Sequence, residues 1–486
     1  MESNVVRDPR RWWILGVLCL SLLVLMLDGT VLNLAIPSLI RELNATPSDI
    51  QWILDAYVLV FAGLLLTAGS LSDRFGRRRM LILGLAVFGV ASLAAVLATE
   101  PWQVVGARVA MGVGGSLLMP STLSILMTTF AEDERRKAMA AWSTVSMVGI
   151  VAGPTLGGFL LQHYWWGSVF LLNIPVAILA IVAAVVLMPE TTGEQRPVDL
   201  VGVLLSIVAL VSTVYVIIER EWNIGMIALA AVAAVGFVVW ESRSEHPMLP
   251  LAVFRNRDFT GTCLTLLLMV FGMGAVMLML TQYLQFVLGY GPMKAGLALL
   301  PYAVAAAVCN GLGATLGKTL SNKTLIVSGL VVMSGAFAIL AVGEGYLWVL
   351  VSMLVMGIGG GLAGPAAYAA IMSAIPLEHA GVGSAMNDTL QQVGMAISIA
   401  MLGSVLAGVF TEHMPADAPE AARESIGAAF QLGFAEPAKE AFTAAMSTGS
   451  WISAGFSLAA ALLGLTLLRT PRKPAEQPQT DPVDVG

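Results

Sequence analysis

Apolar runs of 18 or more residues recur along the whole of this 486-residue chain. A helix of about 20 residues crosses the roughly 30 Å hydrocarbon core of a bilayer, so each run is long enough to span a membrane. Only 12% of the residues are charged and 57% are hydrophobic, with a mean hydropathy of +0.84. So few charges cannot cover a water-soluble protein of this length. The sequence therefore predicts an all-α polytopic membrane protein.

Charged residues, prolines and glycines divide the chain into fourteen predicted spans. The first apolar run is too long for a cleavable signal peptide, and no small-residue cleavage site follows it, so it is counted as the first span. The predicted spans are 12–37, 50–71, 80–98, 102–128, 138–162, 166–188, 199–218, 224–240, 259–288, 294–317, 324–342, 346–374, 381–410 and 442–468.

The distribution of Lys and Arg supports this count. With the N-terminus inside, 19 of the 25 basic residues fall on the cytoplasmic side, and Arg108 lies inside a span. Cytoplasmic loops carry an excess of Lys and Arg, and one missed helix would invert every later loop. Both termini are therefore predicted to be cytoplasmic. The basic residues assigned to the opposite side are Arg41, Arg220, Lys294, Arg423 and Lys439.

Two segments outside the spans have a distinct composition. Residues 411–440 form one long external loop, acidic and interrupted by prolines, in which a short surface helix is expected at about 421–432. Residues 471–486 are polar and Pro-rich, a composition typical of a disordered tail.

Four ionisable residues lie inside the predicted spans: Asp28, Asp55, Arg108 and Asp388. Each costs about 2.5–3.5 kcal/mol at the centre of a membrane helix on insertion scales, so each is expected to face protein or water rather than lipid. A carboxylate that leaves water binds a proton more readily. The three acids are therefore predicted to exchange protons, the alternative being structural hydrogen-bond anchors. For Arg108 a nearby carboxylate or helix C-terminus is expected, and a purely structural pair is the alternative.

The stretch GIVAGPTLGG carries a regular glycine pattern. Gly149, Gly153 and Gly157 recur every four residues, which predicts a small-residue face for close helix packing. Pro154 and Gly158 weaken the helical hydrogen bonds and permit a bend. The spacing fits both a static packing seam and a flexing one.

Several side chains are candidates for lining a pocket. Met273 and Met277 are one helical turn apart and adaptable in shape, and Tyr283 follows them. The polar side chains of Asn33 and Gln391, inside apolar spans, complete the predicted lining. Ordinary packing or lipid-facing positions are the alternative for the methionines.

The sequence contains no recognisable motif for metal binding or covalent catalysis. Cys19, Cys263 and Cys309 follow no metal-ligand spacing, the four histidines are not paired, and neither HExxH nor GxSxG occurs. We therefore predict no metal, no cofactor and no enzymatic activity. Nothing in the sequence indicates binding of nucleic acid.

Several motifs resemble those of a known family. GSLSDRFGRRRM, residues 69–80, is similar to the cytoplasmic loop signature of the major facilitator superfamily and lies between the second and third spans, where that family carries it. Arg108 matches the arginine of its fourth-span motif, and residues 149–158 match the Gly-Pro antiporter motif. LDGTVLNLAIP, WILDAYVL and the segments 296–301 and 381–400 resemble signatures of the fourteen-span drug:proton antiporters.

The resemblance implies the major facilitator fold. It consists of two six-helix bundles, in residues 1–190 and 259–470, with two inserted helices in 191–258 and alternating access around a midplane site. It also implies a cytoplasmic conformational latch that pairs with a helix end when the inner side is closed, although positive-inside orientation alone explains part of its charge. The latch residues are Gly69, Asp73, Arg74, Gly76, Arg77 and Arg78.

Three positions depart from the family pattern. Met111 stands where a glutamine is common, which removes an expected polar partner of Arg108. Leu390, Gln391 and Gln392 lack the usual arginine, so Asp388 has no local counter-charge in the sequence. Segment 317–325 is a degenerate second copy of the loop signature without an acid, which predicts an asymmetric latch.

The resemblance implies a proton-coupled antiporter that acts as a monomer in a bacterial cytoplasmic membrane and exports hydrophobic, in part cationic, drugs or antibiotics. A dedicated exporter of one natural product and a proton-coupled importer are the alternatives, ahead of a sensing receptor or a membrane enzyme. Exchanging Asp28 for Asn is expected to abolish transport of some substrates without preventing membrane insertion.

Overall fold

A computed structural model describes residues 9–193, 199–219, 223–244, 247, 251–317, 319–373 and 380–468. The described residues form α-helices, one 3₁₀ segment at Leu251–Arg255 and one π-helical segment at Tyr283–Val287, without strands. The α-helices are α1 Arg11–Glu42, α2 Pro47–Phe75, α3 Arg77–Val96, α4 Pro101–Thr129, α5 Glu132–His163, α6 Ser168–Leu171, α7 Asn173–Leu187, α8 Leu200–Ile218, α9 Ile224–Arg243, α10 Arg257–Gln282, α11 Pro292–Leu316, α12 Asn322–Val342, α13 Tyr346–Ser373, α14 Ala380–His413, α15 Glu420–Glu424, α16 Ile426–Gln431 and α17 Ala435–Leu467.

Thirteen helical segments of the described residues are long and apolar enough to cross a membrane. They correspond to thirteen of the fourteen predicted spans. The other predicted span, 138–162, lies within the 32-residue helix α5, which is not one of the thirteen. The total of fourteen therefore stays a prediction, whereas the all-helical, many-span architecture is confirmed.

Local sequence explains why α2 begins before its apolar run. The Thr46 side chain accepts a hydrogen bond from the Asp49 amide, and the Asp49 side chain accepts one from the Thr46 amide. This reciprocal capping box satisfies amide groups that the first helical turn leaves free. Pro47 occupies the first helical position, where no amide hydrogen is needed. The helix therefore starts three residues before the predicted span.

Two sets of helices pack mainly among themselves. Helices α1–α5 and α7 form the N-terminal bundle, and α10–α14 with α17 form the C-terminal bundle. Arg11 of α1 pairs with Glu134 of α5 at 2.8 Å, and Lys323 of α12 donates to the carbonyl of Leu465 in α17. We call the side of the protein that carries these contacts the terminal face, and the opposite side the far face.

The contacts that join the bundles cluster toward the far face. Gln285 donates to the carbonyl of Leu34 in α1 at 3.1 Å, and Gly427 lies directly against Ile40 at the end of that helix. Helix α5 packs closely on α11 in the same half of the protein. The described conformation is therefore closed at the far face.

The inserted helix α8 contacts both bundles. Its Ile207 packs directly on Gly63 of α2, and Glu219 just beyond its end accepts hydrogen bonds from Trp52 and Ser48. On the other side, Ser404 of α14 donates to the Ile217 carbonyl at 2.9 Å. Helix α8 thus bridges α2 and α14, while α9 is largely exposed.

The external loop contains two short helices instead of the single helix expected at 421–432. Helices α15 and α16 are separated by Ser425, whose backbone is extended (φ −139°, ψ 128°) and interrupts the helix. Ile426 and Ala429 are buried, so the loop packs onto the bundles. The predicted disorder of 471–486 falls outside the described residues.

Candidate functional site

A buried ion pair occupies the interior of the N-terminal bundle. Nη1 of Arg108 in α4 lies 2.5 Å from Oδ2 of Asp28 in α1, and only 2% and 4% of the two residues is exposed. This is the carboxylate that the sequence led us to expect near Arg108. In this conformation Arg108 balances the charge of Asp28.

The guanidinium of Arg108 makes further contacts with α2. Its Nε donates to the carbonyl of Ile53 at 3.1 Å, and the group lies 4.2 Å from the ring centroid of Tyr57, a cation–π distance. The Sδ of Met111 is 4.0 Å from Nη1. Methionine at 111 removes one expected polar partner of Arg108, and α1 and α2 supply one each in its place.

The second oxygen of Asp28 is also satisfied. Nδ2 of Asn173, at the start of α7, donates to Oδ1 of Asp28 at 3.0 Å and to Ser92 of α3 at 3.2 Å. Sequence reasoning missed Asn173, although a buried amide inside an apolar span is a signal of the same kind as a buried charge. Five helices of the bundle therefore meet at one polar centre.

Asp55 is buried without compensation. Its residue has no exposed surface, and neither carboxylate oxygen has a hydrogen-bond partner in the described structure. One turn earlier on α2, Oε1 of Gln51 is likewise buried and unpartnered. An isolated ionised carboxylate is very costly to bury, so this site is cheapest when Asp55 is the neutral acid.

Asp388 lies apart from the other two acids. It is half-buried in the third turn of α14, and the side chain of its neighbour Asn387 donates to its Oδ1 at 3.0 Å. Gly403, which packs against Gln51, is fifteen residues farther along α14, or about 22 Å at the helical rise. Asp388 is consequently far along α14 from the contact with Gln51, and Asp28 is buried among helices of the N-terminal bundle.

The glycine face of α5 packs against α1. Methyl groups added at Gly149 and Gly157 would lie 2.7 Å from atoms of Met26 and Val31, and one added at Gly153 would overlap Oγ1 of Thr30. The small residues therefore allow the two helices to approach closely, as their spacing predicted.

The other face of the same motif contacts the C-terminal bundle. The carbonyl of Pro154 lies against Gly296 of α11, and a methyl group at Gly158 would meet the Pro292 carbonyl at 2.6 Å. Helix α5 is thus held between α1 and α11, and its motif forms part of the seam between the bundles.

The loop signature is engaged with the end of α7. Oδ1 of Asp73 accepts from Nε of Arg77 at 2.8 Å, and the Asp73 carbonyl accepts from the amide of Gly193. Arg78 donates to the carbonyl of Met188, which follows the last residue of α7. The loop signature thus contacts the end of α7 within the N-terminal bundle, and its role as a latch between conformations stays a prediction.

Three further latch residues have different surroundings. Gly76 has a φ of +105°, and a methyl group there would lie 2.6 Å from Oε1 of Glu190. Gly69 faces Pro120 at ordinary contact distance, and the Arg74 guanidinium lies 5.3 Å from the Phe75 ring. Only Gly76 has a conformation that requires glycine.

The residues proposed to line a pocket are scattered. Met273 and Met277 are half-buried, and Sδ of Met273 accepts from the hydroxyl of Tyr302 at 3.4 Å. Asn33 bonds to its own helix and Gln391 is exposed. Tyr283 is different: it is 2% exposed, and its hydroxyl accepts from the amide of Gly345 in a far-face loop, a structural contact rather than an open lining position.

Comparisons with known proteins agree with this architecture. The chain is 33% identical to the multidrug efflux pump LfrA of Mycolicibacterium smegmatis over 96% of both chains, and 36% identical to the puromycin resistance protein pur8 of Streptomyces alboniger over 84% of both. It is 31% identical to the methyl viologen resistance protein SmvA of Salmonella typhimurium over 88% of this chain and 90% of the other.

Solved structures share the fold at low sequence identity. A bacterial homologue of the human lysosomal transporter Spinster superposes with a TM-score of 0.68 at 15% identity, covering 96% of this chain and all of the other. A D-xylose–proton symporter superposes with a TM-score of 0.67 at 15% identity, covering 94% of this chain and 98% of the other. The profile of the Major Facilitator Superfamily matches residues 18–399, and the chain belongs to that family.

Proposed function

We propose that this protein is a proton-coupled antiporter that exports hydrophobic and cationic drugs or antibiotics across a bacterial cytoplasmic membrane. Its relatives over most of its length include a multidrug efflux pump and resistance proteins for puromycin and methyl viologen, which supports export of small molecules. The observation that carries the proton coupling is Asp55, a fully buried carboxylate without a described partner.

The proposed orientation places the terminal face in the cytoplasm. Arg77, Arg78 and Arg79 at the start of α3 lie on this face with Arg11 and Lys323, as the excess of basic residues in cytoplasmic loops requires. Because the bundles are joined toward the far face, the described conformation would receive substrate from the cytoplasm. Export then requires the seam of α1, α5 and α11 to open.

The acids take different parts in the proposed cycle. Asp388, half-buried near the terminal face, meets a cationic substrate that arrives from the cytoplasm. Asp28 and Arg108 hold the polar centre of the N-terminal bundle, and protonation of Asp28 would release Arg108 from its partner. Asp55 carries a proton while it is buried and loses it when water or a cation reaches it.

Transport in liposomes tests this function. The liposomes have an acidic lumen, and ethidium is added outside. Protein molecules whose far face lines the lumen should then carry ethidium inward. This uptake should depend on the pH gradient and stop when an ionophore collapses it. Asp55→Asn should abolish gradient-driven uptake while leaving the protein folded. Glu42→Gln, which neutralises an exposed acid at the end of α1, is the matched control and should transport normally. Uptake that ignores the gradient would contradict the proposal.

A dedicated exporter of one natural product is the second candidate. It is favoured by the relative named for resistance to puromycin, a single antibiotic. Uptake measured against a panel of lipophilic cations and antibiotics separates the two, because a dedicated exporter moves one member while a multidrug exporter moves many. Uptake of substrate together with protons, rather than against them, would instead identify an importer.

A further inference from the structure

A cavity lies in the far face between the two bundles. It is bounded by the ends of α1 and α2 on one side and by α10, α14 and α17 on the other, with α15 and α16 along its rim. Its volume is about 80 Å³, enough for several water molecules but far below the roughly 300–1,000 Å³ of a drug-sized site. Its size therefore fits water rather than the exported molecule.

Polar groups line this cavity among apolar ones. Its polar lining residues are Gln51 of α2, Gln282 of α10, Glu424 and Ser425. Gln51 is 5% exposed, and its Oε1 has no described hydrogen-bond partner. A buried amide oxygen that lines a cavity with other polar groups and lacks a protein donor is a position where an ordered water molecule bonds.

Gln51 connects the cavity to Asp55. The two residues are four positions apart on α2, so their side chains lie on the same face, one turn apart. A methyl group at Gly403 of α14 would lie 2.9 Å from Nε2 of Gln51, so this glutamine lies on the seam between the bundles. Separation of α2 from α14 at the far face would extend the cavity toward Asp55.

Two charged groups of the helices next to Asp55 are engaged with other partners. Arg108 pairs with Asp28 and lies beside Tyr57, whereas Glu219 accepts from Trp52 and Ser48. In the described residues, the charged and titratable groups on α2 itself and on the helices packed against it are Asp49, Tyr57, Asp73 and Arg74 of α2, Arg11, Cys19, Asp28, Arg41 and Glu42 of α1, Arg77, Arg78 and Arg79 of α3, Arg108 of α4, Tyr215 and Glu219 of α8 and its end, and Asp388, Glu412 and His413 of α14.

We propose that Gln51 and this cavity form the route by which Asp55 exchanges its proton with the solution at the far face. A proton passes from cavity water to the Asp55 carboxylate, and Gln51 orders the water between them as a positioning residue. The direction of use in the transport cycle rests on the proposed antiport, but the route itself does not.

Carbodiimide labelling tests the route independently of transport. Dicyclohexylcarbodiimide reacts with the protonated form of a carboxyl group, and peptide mass spectrometry reports modification at each acid separately. In sealed vesicles of known orientation, acidifying only the far-face solution should increase modification of Asp55 several-fold. Acidifying only the terminal-face solution should change it much less. Asp55→Asn removes the signal and identifies the peptide.

The variant Gln51→Leu should reduce the response to far-face acidification at least threefold, because leucine cannot hold the water. Gln51→Glu keeps an oxygen acceptor and should restore most of it. Gln162→Leu removes an exposed glutamine near the end of α5 and is the matched control, with no expected change. Equal responses in Gln51→Leu and wild type, or a response to terminal-face acid alone, would overturn the route. If labelling of Asp55 increases with far-face acidification but no drug uptake is observed, the proposed antiport is rejected and the proposed proton route is retained.

Discussion

Asp28 and Arg108 are 80 residues apart in the chain and form a 2.5 Å ion pair inside the N-terminal bundle. The pair joins α1 to α4, and its other hydrogen bonds reach α2 and α7. The pair therefore stabilises the packing of the bundle in addition to any role in proton coupling. Breaking such a pair by removing one partner leaves an uncompensated buried charge, at a typical cost of 3–5 kcal/mol.

The variants Asp28→Asn and Arg108→Gln should each be destabilised by about 3 kcal/mol or more, and the double variant should be less destabilised than the sum of the two. Thermal unfolding of the purified proteins in detergent ranks the stabilities of the wild type, the two single variants and the double variant. Strictly additive losses would show that the two side chains do not interact.

Gly153→Ala should separate α5 from α1. The added methyl group overlaps Oγ1 of Thr30, and overpacking of this kind costs about 1–3 kcal/mol. Thr30→Ala in the same molecule should recover part of the stability. Gly16→Ala is the control, since nothing lies within 4 Å of the position where its methyl group would be. Thermal unfolding compares the variants, and equal stability of Gly153→Ala and Gly16→Ala contradicts the packing.

Gly76→Ala should be more damaging than Gly345→Ala. Both glycines have positive φ values, +105° and +85°, which cost an alanine about 1–2 kcal/mol. Only the methyl group at Gly76 also overlaps a neighbour, the Glu190 carboxylate. We expect lower stability and slower ethidium transport in Gly76→Ala. If the two alanine variants unfold at the same temperature, the overlap at Gly76 has no energetic consequence.

Loss of the polar contacts of α8 should loosen the inserted helices. Glu219→Ala removes the acceptor of Trp52 and Ser48, and Ser404→Ala removes the donor to Ile217. Each change should cost about 1 kcal/mol, the usual net value of a hydrogen bond. Thr213→Ala is the control, because Thr213 bonds only to a carbonyl of its own helix in the described contacts. Hydrogen exchange along α8 should rise in the first two variants and not in the third.

Much of the fold could be predicted because each membrane-spanning segment must by itself be long and apolar enough to cross the bilayer. Length and hydropathy located the helices, and the Gly149, Gly153 and Gly157 spacing predicted a close contact. The break at Ser425 and the division of the sixth span into α6 and α7 could not be predicted, since they depend on packing onto neighbouring helices. The candidate site was predicted as a set of residues, without its arrangement.

Asp28, Asp55 and Asp388 look alike in the sequence, each an acid in an apolar run. The sequence by itself determined that three carboxylates and one arginine lie within predicted membrane spans, because hydropathy is a property of each segment. Only the tertiary structure decided that Asp28 receives Arg108 and Asn173, that the described partner of Asp388 is its neighbour Asn387, and that Asp55 has no described partner. The physical reason is that the partners come from other helices, and bundle packing alone determines which side chains meet.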